Sequence, residues 1–246
     1  MPGTLKTPMP KHPEKNGIFI LAANTIGRYD DIPQRSLKAL RESDLLIFEE
    51  DRPARLALKT AGIHREYLKY SEHRNANTIY LFKKFLKEDK VVCYMSDQGM
   101  PTIADPGREL LEIAYELGSR VEVIPGASSI TAALSACPFL YGSFKYHGFV
   151  ERKREDRITT LKKIAEENDP VILVDTPYRL KNLIDDCIIS HGPKRMALLA
   201  MDISGPRENF LFNNMESLQK TVSRLEEKIN FVLILSGKGN QRQETS

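Results

Sequence analysis

Two short apolar runs end in carboxylates. Glu49, Glu50 and Asp51 close the run DLLIF, and Asp97 follows VVCYMS. Paired carboxylates at a strand end can take a proton from a reacting group, so Glu49 and Glu50 are candidate catalytic bases. The alternative is a solvated acidic cluster, or one paired with Arg52. His73, in SEHRN, is a third candidate base and equally reads as an exposed loop histidine. Asp97 opens the loop SDQGMPTIADPG, residues 96–107, which holds two glycines, two prolines and two aspartates. Gly99 and Gly107 permit turns or close approach to a ligand, and Pro101 and Pro106 stiffen the chain. Asp97 and Gly99 read as ligand contacts, and Asp105 as a helix cap. In PGASS, residues 125–129, Gly126 allows a turn and Ser128 and Ser129 begin a helix. Free amides and hydroxyls there suit a polar ligand, although ordinary N-capping explains Ser128 equally well.

Other chemistries find little support. Five scattered histidines lack HxH or HxxxH spacing, and Cys93, Cys137 and Cys187 form no CxxC, so no metal site or disulfide framework is expected. There is no GxxxxGK[ST] phosphate loop and no GxGxxG after the first strand. Net charge is +3, from 36 basic and 33 acidic residues, too balanced to imply nucleic-acid binding by itself. Arg152, Lys153, Arg154 and Arg157 form a basic run, but Glu151, Glu155 and Asp156 interrupt it, and it reads as a solvated helix start. Apolar runs such as Phe231–Leu235 are far shorter than the ~20 residues of a membrane span, so no membrane partner is expected. The cysteine usage fits a reducing cytoplasm.

The elements that position these residues alternate. Strands are expected near 17–23, 44–50, 91–96 and 121–125, with helices near 33–43, 52–61, 77–89, 107–117 and 128–137. Asp31 reads as the cap of the first helix, with Pro33 in its first turn. The later half alternates in the same way, with strands near 144–147, 171–176, 196–202, 209–212 and 231–236 and helices near 155–168, 177–190 and 215–228. This predicts an α/β fold with substantially parallel sheets. Residues 1–16 and 240–246 read as tails, and the break at PFLYG (138–142) sets domains of 17–138 and 139–239.

In an open α/β sheet, ligands bind beyond the carboxyl ends of the strands. Four loops lie there: ANTIGRYDD (23–31), EEDR (49–52), SDQGMPTIADPG and PGASS. In that order they resemble the tetrapyrrole methylase superfamily, the class III S-adenosylmethionine-dependent methyltransferases, and are most similar to its ribosomal small-subunit RNA 2′-O-methyltransferase I branch. NTIGR corresponds to a TPIGN-like loop, EEDR to an EDTR-like segment, and the long loop to SDAGTP…DPG. PGASS corresponds to PGPSA, YHGFV (146–150) to YEGFLP, and VDTPYRL (174–180) to YESPHRL. The resemblance runs from about Gly17 to Gly237.

It implies two α/β domains with S-adenosylmethionine (SAM) held in a cleft between them, as a cytoplasmic homodimer. By position, the cofactor contacts it implies are Ile26, Asp97, Gly99, Met100, Ser128 and Ser129, then Val174, Asp175, Ala200, Met201 and Phe231. The acceptor it implies is ribosomal RNA. The alternatives are a tetrapyrrole precursor, or a SAM- or RNA-binding member without catalysis. A tetrapyrrole enzyme is expected to keep a GxGPGD-like first loop, which ANTIGRYDD is not. The chain departs from the branch pattern at Thr25, Arg28, Glu50, Gln98 and Met100. It departs again in AMDIS (200–204), where ARELTK is expected.

Overall fold

The computed structural model describes residues 16–71, 75–103 and 105–239. The expected tails, apart from Asn16, lie outside the described residues. The chain divides into two compact units. One comprises the chain up to Thr25 together with Tyr29–Ala127, and the other comprises Ile26–Arg28 together with the chain from Ser128 onward.

The first unit carries strands β1 (Ile18–Ala22), β2 (Leu45–Phe48), β3 (Leu68–Lys69), β4 (Val91–Met95) and β5 (Arg120–Ile124). They form one sheet in the order β3-β2-β4-β1-β5, parallel at every pairing. Parallel strands need helices on both faces, so their sequences run nearly all apolar. Helices α1 (Gln34–Glu42) and α2 (Asp51–Thr60) cover one face over Ala22, Leu46, Phe48, Cys93 and Met95. Helices α3 (Ala76–Lys87) and α4 (Arg108–Glu116) cover the other over Phe19, Ile47, Val92 and Tyr94. Asn75 caps α3, accepting from the Asn77 and Thr78 amides at 3.1 and 3.3 Å. Gly62, at φ +70°, follows α2 in the left-handed conformation expected for a helix stop. Asp31 does not cap α1. It ends a 3-10 turn, and Pro33 itself holds the cap position.

The second unit carries α5 (Ser129–Ser135), β6 (Lys145–Gly148), α6 (Arg154–Ala165), β7 (Val171–Asp175), α7 (Leu180–His191), β8 (Met196–Met201), β9 (Asn209–Asn214), α8 (Met215–Ser223) and β10 (Phe231–Leu235). Its sheet has the order β6-β7-β10-β8-β9. Only β6 and β7 are parallel; the other pairings are antiparallel. The expectation of parallel sheets therefore holds for the first sheet and not for the second. The connection Asp202–Glu208 is too short for a crossover and makes β8 and β9 a hairpin. Helices α6, α7 and α8 cover the face bearing Val171, Leu173, Leu199, Phe231 and Leu233. The opposite face bears Ile172, Leu198, Ala200, Val232 and Ile234, and packs on Ala133 of α5 and on Phe139. Helix α5 thus belongs with the second sheet, and PFLYG, read from sequence as the boundary, is internal to that unit. Small residues of α5 fit closely on the sheet, a preference that strand–helix alternation does not reveal.

The basic run near 152–157 is not uniformly solvated. Arg157 is buried and donates to Asp186 on α7 at 2.9 and 2.7 Å, while Arg154 donates to the other Asp186 oxygen at 3.0 Å. Removing one partner of a buried pair leaves the remaining charge uncompensated. Asp186→Ala should lower unfolding free energy by about 3–5 kcal/mol in urea titrations. A loss under about 1 kcal/mol would show that this pair does not hold α6 to α7.

Candidate functional site

In the first unit, the loops after β1, β2 and β4 leave from neighbouring strands, because β4 lies between β2 and β1. Where the ladders end, backbone groups need new partners, and Asn24 supplies them. Its side chain is fully buried and donates to the Ser96 and Asp97 carbonyls at 3.0 and 2.9 Å. Its amide oxygen accepts from Thr25 N–H at 2.8 Å. Backbone bonds then join the two loops: Asn24 N–H to Gly99 O at 2.8 Å, and Gly99 N–H to Thr25 O at 3.0 Å. Gly99 adopts φ +66°, which glycine allows without a side-chain clash. Thr102 follows at φ +72°, an unusual conformation for a β-branched residue and one that marks a loop whose shape is imposed.

The loops after β2 and β4 are joined by the acids. Asp97 N–H donates to the Glu49 carboxylate at 3.3 Å, and Glu50 N–H donates to Asp97 Oδ1 at 3.0 Å. Glu49 is half-buried. Burial, with Asp97, Asp105 and Glu50 nearby, pushes its carboxyl up to about 7 despite the hydrogen bond from Asp97. Burial also raises Asp97. Glu50 is exposed and enters the joint through its backbone. Asp51 is committed elsewhere, accepting from Lys69 at 2.9 Å and Tyr67 at 3.0 Å. Glu49 therefore carries a raised carboxyl within this acid cluster. His73 lies outside the described residues.

Asp105 is not a helix cap. Gly107 holds the cap position of α4, and the Asp105 carboxyl is raised chiefly by burial, with the nearby charge of Asp97 adding to the shift. Beneath lies Tyr94, fully buried, its hydroxyl without a hydrogen-bond partner among the described residues. Burial raises that phenol, and the charges of Glu49, Asp105 and Asp97 raise it further. Gly107 is required here, since a Cβ would sit 2.2 Å from the Tyr94 ring. Asn24, Tyr94 and Asp105 are members of this cluster that sequence reasoning missed. A buried polar residue at the end of an apolar strand is the signal that would have marked Asn24.

In the second unit the expected residues gather at one end of the sheet. Phe231 on β10 stands opposite Asp175 on β7 and Met201 on β8, and Val232 stands opposite Val174 and Ala200. Residues in register share a face, so the group splits. Val174 and Ala200 lie on the α5 face, while Met201 and Phe231 belong to the core under α6, α7 and α8. With 3% and 5% of their surface exposed, Met201 and Phe231 have side chains committed to packing. Asp175 Oδ1 accepts from Thr176 N–H at 2.7 Å and pairs with Arg179 at 3.2 Å. Its Oδ2 is buried without a hydrogen-bond partner among the described residues, and burial raises the carboxyl. Ser128 holds the cap position of α5 without a side-chain cap bond, so N-capping does not account for it. Ile26, with Gly27 and Arg28, belongs to this unit.

SAM presents an ammonium, ribose hydroxyls and an adenine amine, all hydrogen-bond donors. In the first unit the carboxylates of Asp97 and Glu49 are acceptors that fit such a group; in the second unit, taken by itself, the buried Asp175 Oδ2 is another. Among the described residues no cluster of three or more His, Cys, Asp or Glu is arranged to hold a metal ion. No helix among them is long and apolar enough to cross a membrane.

Glu49 gives a sign test. Its folded value, about 7, lies above the ordinary 4.5. Ionised Glu49 therefore opposes folding above about pH 7, and the penalty fades as pH falls through 7 towards 4.5. Glu49→Gln should unfold later than the unsubstituted chain at pH 8, by on the order of 1 kcal/mol once partial solvent exposure is discounted. The gap should close below pH 5 in calorimetric melts. An equal gap at both pH values would refute the assignment.

A family model described as tetrapyrrole (corrin/porphyrin) methylases matches residues 20–219. The ribosomal RNA small subunit methyltransferase I of Thermotoga maritima is 31% identical over 234 residues, covering 90% of this chain and 99% of the relative. Among solved structures, a diphthine synthase superposes with TM-score 0.68 at 17% identity, covering 90% of each chain. A cobalt precorrin-4 methyltransferase superposes with TM-score 0.67 at 16% identity, covering 89% of this chain and 94% of the other.

Proposed function

This chain belongs to the tetrapyrrole methylase family, within its ribosomal RNA small subunit methyltransferase I branch, and from that premise we propose that it methylates ribosomal RNA with SAM as cofactor. The observation that carries the reading is the likeness to the Thermotoga maritima RNA enzyme over 90% of this chain. The acceptor class rests on it, because the solved neighbours share the fold at identities too low to carry a substrate. The bound cofactor would supply an electrophilic methyl group, and the protein's part is to hold acceptor and donor in line.

In this reading Ile26, Asp97, Gly99, Met100, Ser128, Ser129, Val174 and Ala200 are cofactor contacts. Met201 and Phe231 contribute through backbone, their side chains being core. Asp175 offers its unpartnered Oδ2. Glu49 is the base that accepts the proton of the incoming hydroxyl. A carboxyl held near 7 is matched to that task at neutral pH. The same reading takes the chain to be cytoplasmic and homodimeric, as the family likeness suggests.

Purified chain with labelled SAM should transfer methyl groups to small ribosomal subunits and not to corrin or porphyrin precursors. Transfer to a precursor alone would move the acceptor to a tetrapyrrole. SAM binding without transfer to any acceptor would mark a member that has lost catalysis. For the base, kcat should rise with pH through about 7 and then level off, following ionisation of Glu49. Glu49→Gln should lower kcat by roughly 10²–10⁴-fold and flatten the profile. A Glu49→Gln enzyme keeping the same rise would exclude Glu49 as the base.

A further inference from the structure

AMDIS, one of the segments that depart from the family pattern, leads into a strained turn in the second unit. Asp202 has φ +48° and Ser204 φ +63°, two non-glycine residues in the left-handed region within three positions. Such backbone persists only where surrounding contacts over-determine it, and they are present. Asp202 N–H donates to Asn230 O at 2.9 Å, and Gly205 N–H to Asp202 O at 2.7 Å. The Asp202 carboxylate accepts from Arg207 N–H at 2.9 Å and folds over Gly205, where a Cβ would sit 2.4 Å from it. Ser204 N–H donates to Glu208 at 2.6 Å. Ile203 packs into the core on the α5 face.

The outer side of this turn receives Ile26–Arg28. Arg28 N–H donates to Ser204 Oγ at 3.2 Å. A Cβ on Gly27 would sit 2.5 Å from the Ser204 carbonyl carbon and oxygen, so only glycine allows the two backbones to meet. We infer that the Asp202–Gly205 turn is a latch that fixes Ile26–Arg28, making Ser204 a positioning residue for cofactor binding. The link to SAM rests on the reading above, which places Ile26 at the cofactor; the latch itself does not.

Two measurements separate them. Without cofactor, amide exchange at Arg28 should speed up by roughly threefold to tenfold in Ser204→Ala, the worth of one hydrogen bond. The same is expected in Ser204→Gly, which keeps the left-handed geometry while losing the hydroxymethyl group. Gly27→Ala should do the same by pushing the backbones apart. SAM affinity should fall in all three by a comparable factor while melting temperature stays near that of the parent. Asp89→Gly, at the left-handed turn after α3 (φ +59°), is the control and should change neither quantity. Unchanged exchange at Arg28 in Ser204→Ala would overturn the latch. Faster exchange with undiminished SAM affinity, or a weakening matched by Asp89→Gly, would overturn the positioning role of Ser204. If the unsubstituted chain binds no SAM, it is the methyltransferase reading that fails, and the exchange comparison alone decides the latch.

Discussion

The buried amide of Asn24 sets the geometry on which the first unit's chemistry depends. Parallel strands end with carbonyls and N–H groups that the ladder no longer serves. Here one side chain takes up two of those carbonyls, Ser96 and Asp97, and so fixes the loop after β4 against the loop after β1. Asp97 is then placed where its N–H meets Glu49 and its carboxylate meets the Glu50 amide. The raised carboxyl of Glu49 follows, since it is half-buried beside a second acid rather than beside a cation. A group tuned in this way costs stability when ionised, which is a common exchange at functional sites.

The second unit reaches its strand ends by a different route. Its sheet is mixed, with β10 inserted antiparallel between β7 and β8. Alternation of side chains across the sheet then decides which expected contacts can be made by side chains. Val174 and Ala200 face α5, whereas Met201 and Phe231 serve the core. Local strain in the AMDIS turn and the buried ion pair between α6 and α7 sit in the same unit. The first shapes a loop and the second holds helices together.

Much of the fold was legible in the residues. The apolar runs around Ile20, Ile47, Cys93, Leu173, Leu199 and Leu233 read as strands because burial on both faces demands it. Strand β3 escaped because Leu68–Lys69 carries no periodicity. The direction of β10 escaped because an apolar run has no polarity, and only the short β8–β9 connection hinted at a mixed sheet. Asp31 and Asp105 were misread as caps by type and position alone. Asp105 instead lies near Asp97 and Tyr94, relations made by folding rather than by spacing. Asp97 and Glu49 were legible as strand-end carboxylates, and their mutual hydrogen bond was not. The family itself was legible from the order of four loops, none of which was decisive alone.

In the proposed function, the loop closed by Asn24 and Asp97 binds SAM. Isothermal titration of SAM into the chain and into Asp97→Ala tests it most directly. Saturable binding by the parent is expected, weakened about tenfold or more in the variant through loss of a charged acceptor, with an unchanged far-UV circular dichroism spectrum. Binding of equal affinity by a folded Asp97→Ala protein, or no binding by the parent, would contradict it.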